Sequence, residues 1–319
     1  MCNDTSSSLL VSVLVPVYKG ESFLTRTLQS AFAQTHTELE VIVVNDGSPD
    51  NSEAIIKPFL SDSRVRYIKQ ANAGVAAARN TAIKHATGDY FALLDQDDLW
   101  HPEKLARQIE LFKSNPQLGL VHCHAAPVDA QGDVLPADPW RPRPTRPNAF
   151  QEIFLGNPIQ ACAGMFSREA VDSVGGFDDS PKLRFADEYD LWLRISARFE
   201  VGYVPETMAW YRLHGENNSA DVIQMAKAAM AVLDKTRNSL PEVVTAINGQ
   251  HLHERYGRLY LNMAIAHSQE GLLFSALPYF LRAAWLAPSL TFLRLLGPAG
   301  RNRWEWYLQR FRKNRGDSS

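Results

Sequence analysis

A chain of 319 residues, 45% hydrophobic and 21% charged, has room for one large α/β domain with an extension or for two ordinary domains, and is not a disordered polymer. A formal net charge of −2 excludes the strongly basic surface of a general nucleic-acid binder. Three scattered cysteines (Cys2, Cys123, Cys162) exclude a disulfide framework or a cysteine zinc centre and fit a reducing, cytoplasmic compartment.

The N-terminal MCNDTSSSLL has no basic n-region, so no signal peptide is predicted. Leu9 to Val17, LLVSVLVPV, predicts a strand buried on both faces. Phe23, Leu24, Thr27, Leu28, Ala31 and Phe32 fall at helical spacing. Leu39 to Val44 predicts a second buried strand, ending at Asn45-Asp46-Gly47-Ser48. Ser48, Asp50 and Ser52 offer caps for a helix over Ala54 to Leu60. Arg64 to Lys69 predicts a third strand, Gly74 to Ala86 an alanine-rich helix, and Tyr90 to Leu94 a fourth strand that ends at Asp95-Gln96-Asp97-Asp98. The alternation predicts a parallel sheet with helices on both faces.

A helix over Pro102 to Lys113 and a strand over Gly119 to His124 follow. Residues 127–148 then hold six prolines and three arginines, which predicts a long irregular loop. Order returns over Ala149 to Leu155, around Ala161 to Ser167, and in an amphipathic helix over Tyr189 to Ala197. From about residue 222 the chain reads as helical. Ala276, Phe280, Ala283 and Pro288 are spaced like half of a tetratricopeptide repeat, and one copy predicts a helical pair rather than an array. No run reaches the ~20 apolar residues of a membrane span. The nearest, Leu272 to Pro288, is broken by Arg282 and predicts a buried helix. Arg301 to Arg315 carries six basic residues and one acidic residue among Trp304, Trp306, Tyr307 and Phe311. That pattern suits a solvated terminal helix or a peripheral contact with an anionic membrane.

Ligands of open α/β sheets bind beyond the carboxyl ends of the strands. Three polar clusters fall at such ends: Pro16-Val17-Tyr18, Asn45-Asp46-Gly47 and Asp95-Gln96-Asp97. The Asp95-x-Asp97 pair, directly after an apolar strand, suits a divalent cation that bridges protein carboxylates to a diphosphate and offsets the charge that develops on it. Magnesium and manganese are commonly held by one or two carboxylates plus substrate phosphates. No G-x-G-x-x-G follows the first strand and no G-x-x-x-x-G-K-[ST] occurs, which excludes a dinucleotide dehydrogenase and a P-loop NTPase.

The ordered set VSVLVPVYKGESFLTRTLQSAFAQT, VIVVNDGSPDNS, NAGVAAARNTAIKHATGDYFALLDQDDLWHPEKL, VGGFDD, DEYDLWLR and VPETMAWYRLHGENNS covers residues 11–219 and resembles the family 2 glycosyltransferases. The resemblance implies a GT-A, Rossmann-like α/β fold with a mainly parallel twisted sheet, inverting chemistry and Mn²⁺ or Mg²⁺. It implies that Pro16, Val17 and Tyr18 line the nucleobase pocket and that Asp46 accepts a hydrogen bond from the base, commonly uracil. Asn72 and Arg79 match positions at the nucleoside and diphosphate, Asp95 one at the ribose or donor sugar with its neighbour Gln96 also on the donor side, and Asp97 the metal. His214 matches a position that completes the metal or diphosphate site in some members. The general base falls on Glu188 or Asp187, because the sequence has Asp-Glu where Glu-Asp is commoner. Asp190 is read as structural.

The expected organisation is a catalytic domain over residues 1–220, with a nucleotide-sugar half at 9–115 and an acceptor half at 116–220, and a helical extension over 221–319. The expected function is transfer of a sugar from a nucleoside diphosphate, UDP by resemblance, to a hydroxyl of a saccharide or lipid-linked saccharide in cell-surface polysaccharide or lipopolysaccharide assembly. No nucleic-acid partner is expected. A sugar nucleotidyltransferase and an inactive glycosyltransferase-like scaffold are the alternatives.

Overall fold

The computed structural model describes residues 9–136, 149–215, 217 and 221–289, so the basic Arg301–Arg315 stretch and much of the proline-rich loop lie outside the described residues. Two compact units are present. The first comprises the described residues of Met1–Ile153, Asn157–Ser180 and Asp187–Arg212; the second comprises the described residues of Phe154–Gly156, Pro181–Ala186 and Leu213–Ser319.

In chain order the elements are β1 (Val11–Val17), α1 (Leu24–Phe32), β2 (Leu39–Asp46), α2 (Ser52–Ile56), β3 (Val65–Gln70), α3 (Val75–His85), β4 (Tyr90–Leu93), β5 (Leu99–Trp100), α4 (Lys104–Ser114), β6 (Leu118–Val128), α5 (Phe150–Gly156), β7 (Gly164–Ser167), α6 (Arg168–Val174), α7 (Asp187–Ser196) and β8 (Glu200–Arg212). The helices α8 (Val222–Ser239), α9 (Pro241–Val244), α10 (Gly249–Gln269) and α11 (Leu273–Leu286) follow.

One eight-stranded sheet runs β3-β2-β1-β4-β7-β6-β8-β5. The β3-β2-β1-β4 half is parallel throughout, as the strand–helix alternation predicts. β7 is antiparallel to β4 and β6, β8 is parallel to β6, and β5 is antiparallel to β8. β1 is buried along its whole length and β2 over all but Glu40, which is why both read as unbroken apolar runs. On α1 the buried face is Leu24, Thr27, Leu28 and Ala31, the periodicity legible in the sequence. The helix expected over 54–60 ends early. α2 stops at Ile56 and a 3₁₀ turn continues over Lys57–Ser61, where Pro58 has no N–H to extend an α-helical ladder.

One ionisable group lies deep in this core. Lys104 is fully buried, donates to Gln108 Oε1 at 2.8 Å and sits 4.1 Å above the Trp100 ring. Burial pushes its ammonium down to about 8. Gln108 in turn donates to the carbonyls of Val121 and Ala163, tying α4 to β6 and to the turn before β7.

In the second unit, α10 and α11 form the expected helical pair. The face of α11 toward α10 is built from small residues: Ala276 and Ala283 are buried, and a Cβ on Gly257 would lie 2.7 Å from that of Ala287. The expectation of a buried Leu272–Pro288 helix is corrected here. Leu272, Leu273, Phe274, Leu277, Leu281 and Trp285 are exposed, because the small side chains, not the large ones, occupy the packed face. Among the described residues no helix is long and apolar enough to cross a membrane.

Candidate active site

The direction of strand progression reverses at β1, which lies between β2 and β4. Such a switch point opens a crevice at the carboxyl edge. Pairing of β1 with β2 runs to Val17 beside Asn45, whereas pairing with β4 stops at Leu14 beside Leu93. Pro16 has no N–H to offer a further rung, so the two strands part there. Gln96 closes the gap one step out: its side-chain carbonyl accepts from Tyr18 N–H and its amide donates to Tyr18 O, both at 2.7 Å. Pro16 and Val17 are buried, while the Tyr18 ring stays 42% exposed at the mouth.

The loop after β1 is stitched to the loop after β2. Lys19 adopts a left-handed φ of 59°, and its N–H donates to Ser48 Oγ at 2.7 Å. Gly20 N–H donates to Ser52 Oγ at 2.9 Å and Glu21 N–H to Asp50 Oδ2 at 3.0 Å. Ser48, Asp50 and Ser52, expected as helix caps, therefore serve mainly as cross-links between two loops. α2 has no side-chain cap at Asn51.

Asp46, at the end of β2, is buried, and its carboxylate accepts three protein hydrogen bonds. They come from Gln70 Nε2 (2.7 Å), Ala73 N–H (2.9 Å) and Gly74 N–H (2.8 Å). Asn72 donates to the Asp46 carbonyl at 3.0 Å. Gly47 is required between them: its φ is +69°, and a Cβ there would lie 2.8 Å from Asn72 N. Asp46 and Asn72 thus build one tight corner that leads into α3.

Four alanines on α3 let it sit close on β1 and β2 and carry Arg79 into the interior. The Arg79 guanidinium, 3% exposed, reaches Asp95 Oδ1 and Asp187 Oδ2 at 2.7 Å each, with Glu188 Oε2 at 3.8 Å. Its guanidinium carbon lies over the Phe177 ring, 5.5 Å from the ring centre. Burial opposes its charge, but the three carboxylates outweigh it and hold the guanidinium firmly ionised. The end of β4 and the start of α7 are thereby joined through one cation. Asp187 is fully buried in this pair, whereas Glu188 keeps 17% of its side chain exposed. Burial, reinforced by the charge of Asp187 and offset in part by Arg79, lifts the Glu188 carboxyl from 4.5 to about 8. Asp190, two positions after Glu188, pairs with Arg194 at 2.7 Å, a contact within the helix.

Asp95, Asp97 and Asp98 crowd one turn after β4. Burial raises the Asp95 carboxyl, Arg79 pulls it back, and the charge of Asp97 adds to the rise. Asp98 is pushed well above the usual range by burial and then by Asp97 and Asp95. Asp98 Oδ1 accepts from Arg212 N–H at 2.9 Å, and Arg212 Nε donates to the Asp97 carbonyl at 2.8 Å. Arg212 Nη1 also donates to the carbonyls of Asp129 and Ala130. Arg212 and Asp98, which the sequence reading did not single out, together fix the Asp95–Asp98 turn to the end of β8.

Among the described residues no group of three or more histidine, cysteine, aspartate or glutamate side chains is arranged to hold a metal by itself. The donor set nevertheless suits magnesium or manganese: the hard carboxylate oxygens of Asp95, Asp97 and Asp98 lie on one turn, with further oxygens to come from a bound phosphate. His214 belongs to the second unit, where its N–H donates to Asn217 Oδ1.

Comparison with known proteins agrees with this architecture. Residues 12–175 match the family model described as Glycosyl transferase family 2. An uncharacterized glycosyltransferase of Rickettsia typhi is 31% identical over 210 residues, 65% of this chain and 65% of that protein. Chondroitin synthase of Escherichia coli is 29% identical over 220 residues, 68% of this chain and 31% of that one. The chain spans less than two thirds of the length of these relatives. Among solved structures, the mannosyltransferase PcManGT from Pyrobaculum calidifontis, in complex with GDP-Man and Mn²⁺, superposes with a TM-score of 0.62 at 20% identity, covering 97% of this chain and 88% of that one. S. aureus TarS 1–349 in complex with UDP-GlcNAc gives 0.63 at 15% identity, covering 95% and 89%. At these identities the likeness shows the fold, the GT-A arrangement of α/β sheet and helices. With the family match running through more than half of its 319 residues, the chain belongs to glycosyl transferase family 2.

Proposed function

We propose that the protein is an inverting glycosyltransferase that moves a sugar from a nucleoside diphosphate, UDP, to a hydroxyl of a saccharide or lipid-linked saccharide. The observation that carries this reading is the Arg79 bridge, which sets a high-pKa carboxyl, Glu188, beside the acidic turn at the switch-point crevice. Tyr18 offers its exposed ring to the base, with Pro16 and Val17 as the pocket wall. Asp46, whose buried carboxylate holds this corner through Gln70, Ala73 and Gly74, is assigned to the base, and Asn72 backs that corner. Gln96 holds the pocket mouth in shape. Arg79 orients Asp95 toward the ribose and donor sugar while balancing the carboxylates around it.

Asp97, with Asp95 beside it, would hold Mg²⁺ or Mn²⁺, which when bound offsets the charge developing on the leaving diphosphate. Glu188 takes the proton of the acceptor hydroxyl as its oxygen bonds to the anomeric carbon. The bond from that carbon to the diphosphate oxygen breaks on the opposite face, which inverts the centre. The chondroitin synthase relative supports a place in polysaccharide assembly; a lipopolysaccharide acceptor, a place on the cytoplasmic side of the membrane and a peripheral contact through the basic C-terminal stretch belong to the same proposal.

The test is a panel of nucleotide sugars with Mn²⁺, read by the nucleotide released. UDP is the expected product, and pyrophosphate would indicate a nucleotidyltransferase instead. Asp97→Asn is expected to lower turnover by about 10²-fold or more with an unchanged melting temperature. Near-normal turnover in that variant would remove Asp97 from the site.

A further inference from the structure

α11 is arranged the wrong way round for a helix of a soluble protein. Its small residues, Ala276 and Ala283, are buried, and its large apolar residues face out. Phe274 is 95% exposed, Trp285 80% and Leu273 67%, with Leu277 and Leu281 between them. The steps from 274 to 277, 281 and 285 are those of one helical face, so these side chains form a continuous stripe. Isolated exposed apolar residues are ordinary; a stripe of this length marks a surface that is covered by something. α11 carries no acidic residue and a single base, Arg282, which bonds the Tyr260 hydroxyl at 2.9 Å.

The charge of the chain is divided along its length. Residues 290–319 contain seven of the 33 basic residues and two of the 35 acidic ones, so the remainder of the chain is acidic and its end is basic. That basic end follows α11 directly and carries two tryptophans and a tyrosine, the residues that settle at membrane interfaces. An apolar helical face with an exposed tryptophan, followed in sequence by Arg294 and the arginine-rich stretch from Arg301, has the two components of interfacial binding: burial at the acyl boundary and attraction to anionic headgroups. A folded protein partner would account for the stripe but not for the basic end, whereas an anionic bilayer surface accounts for both.

We infer that the exposed face of α11, formed by Leu273, Phe274, Leu277, Leu281 and Trp285, lies in the surface of an anionic lipid bilayer. This rests on the peripheral contact proposed for the basic stretch and adds its apolar half. α11 is 14 residues long and lies in the interface rather than crossing it.

The experiment uses full-length protein and flotation with vesicles of phosphatidylcholine and phosphatidylglycerol, at low and high salt. Wild type is expected to float. Phe274→Ser with Trp285→Ser is expected to lower vesicle partitioning by at least about tenfold at both salt concentrations, since apolar burial is not screened. Trp285→Phe keeps the stripe and should keep binding. Arg310→Glu with Arg312→Glu should lose binding chiefly at low salt. Melting temperature and transfer to a soluble acceptor stay unchanged in all of them. If the double serine variant floats like wild type while the arginine variant does not, the basic contact stands and the α11 proposal falls. If no form floats, both fall. If wild type is a dimer that the serine variant dissociates, with flotation unaltered, a second copy covers the stripe and the proposal is overturned.

Discussion

Asp187 and Glu188 are neighbours in sequence, yet the structure gives them different surroundings. Asp187 is fully buried against Arg79, so its loss leaves a buried cation short of a partner, a cost of about 3–5 kcal/mol. Glu188 is at 3.8 Å from the same guanidinium, partly exposed, and lifted to about 8, near the value that suits a base working close to neutral pH. The sign of its pH dependence follows. A base must be ionised, so kcat/KM should rise with pH through about 8 and fall tenfold per unit below it. For stability the direction is opposite. The folded state holds the Glu188 proton between its ordinary value of 4.5 and about 8 while the unfolded chain releases it, so this residue's contribution to stability declines as pH rises through that window. Glu188→Gln should therefore lose the rising limb, lower kcat by about 10²–10⁴-fold, and melt no lower than wild type at alkaline pH. Asp187→Asn should lower the melting temperature at every pH while keeping the limb. Pairing pH–rate profiles with melts on the two variants checks this; a limb that survives in Glu188→Gln moves the base elsewhere.

At the scale of elements, the site depends on short corners between strand ends and helix starts. The Asp46 carboxylate both ends β2 and holds the chain that enters α3, through Gln70, Ala73 and Gly74. Asp46→Asn places an amide N–H₂ against at least one of these donors, so the corner loosens and the α3 start with it. UDP affinity should fall by about 1–3 kcal/mol by calorimetry, the range for leaving a buried hydrogen-bonding group unpaired. Unchanged affinity would count against Asp46 as part of the base pocket. The strands that carry these corners, β1, β2 and β4, were legible because burial on both faces leaves an unbroken apolar run. β8 was not: its exposed Pro205 and Glu206 interrupt any alternation, and it is recognised only by its long partner β6. β5 has two residues, too few for any period. The roles of Ser48, Asp50 and Ser52 were misjudged because local spacing suggests a helix cap, whereas their partners lie about thirty residues earlier, in the loop after β1. Arg212 escaped notice for a similar reason, since nothing in an arginine at a strand end announces carbonyls far away in the chain. The apolar run at 272–286 was visible, but composition does not tell which face of a helix packs.

At the scale of the whole molecule, the proposed donor-side residues and both base candidates fall in the first unit, whereas the exposed apolar stripe and His214 fall in the second. The catalytic and surface-binding chemistry are thus assigned to separately compact parts, and a ligand of one should leave a local signature. Nucleotide that binds the folded first unit stabilises it by about 2.7 kcal/mol at a hundred times Kd. Amides whose exchange requires opening of that unit should then slow by about 100-fold, because exchange follows the opening free energy. With UDP and Mn²⁺ the expected gain in hydrogen-exchange protection lies in β1, β2 and the start of α3, where Tyr18, Asp46, Asn72 and Arg79 sit, and at the Asp95–Asp98 turn. α10 and α11 should exchange as they do without nucleotide, since none of their residues is assigned to the donor. Anionic vesicles should give the converse pattern, with protection in α11 and in the basic stretch that follows it and none in β1 or β2. Protection by UDP that appears on α10 and α11 and spares β1 and β2 would place the nucleotide in the wrong unit for this site, and with it every role assigned to the switch-point crevice.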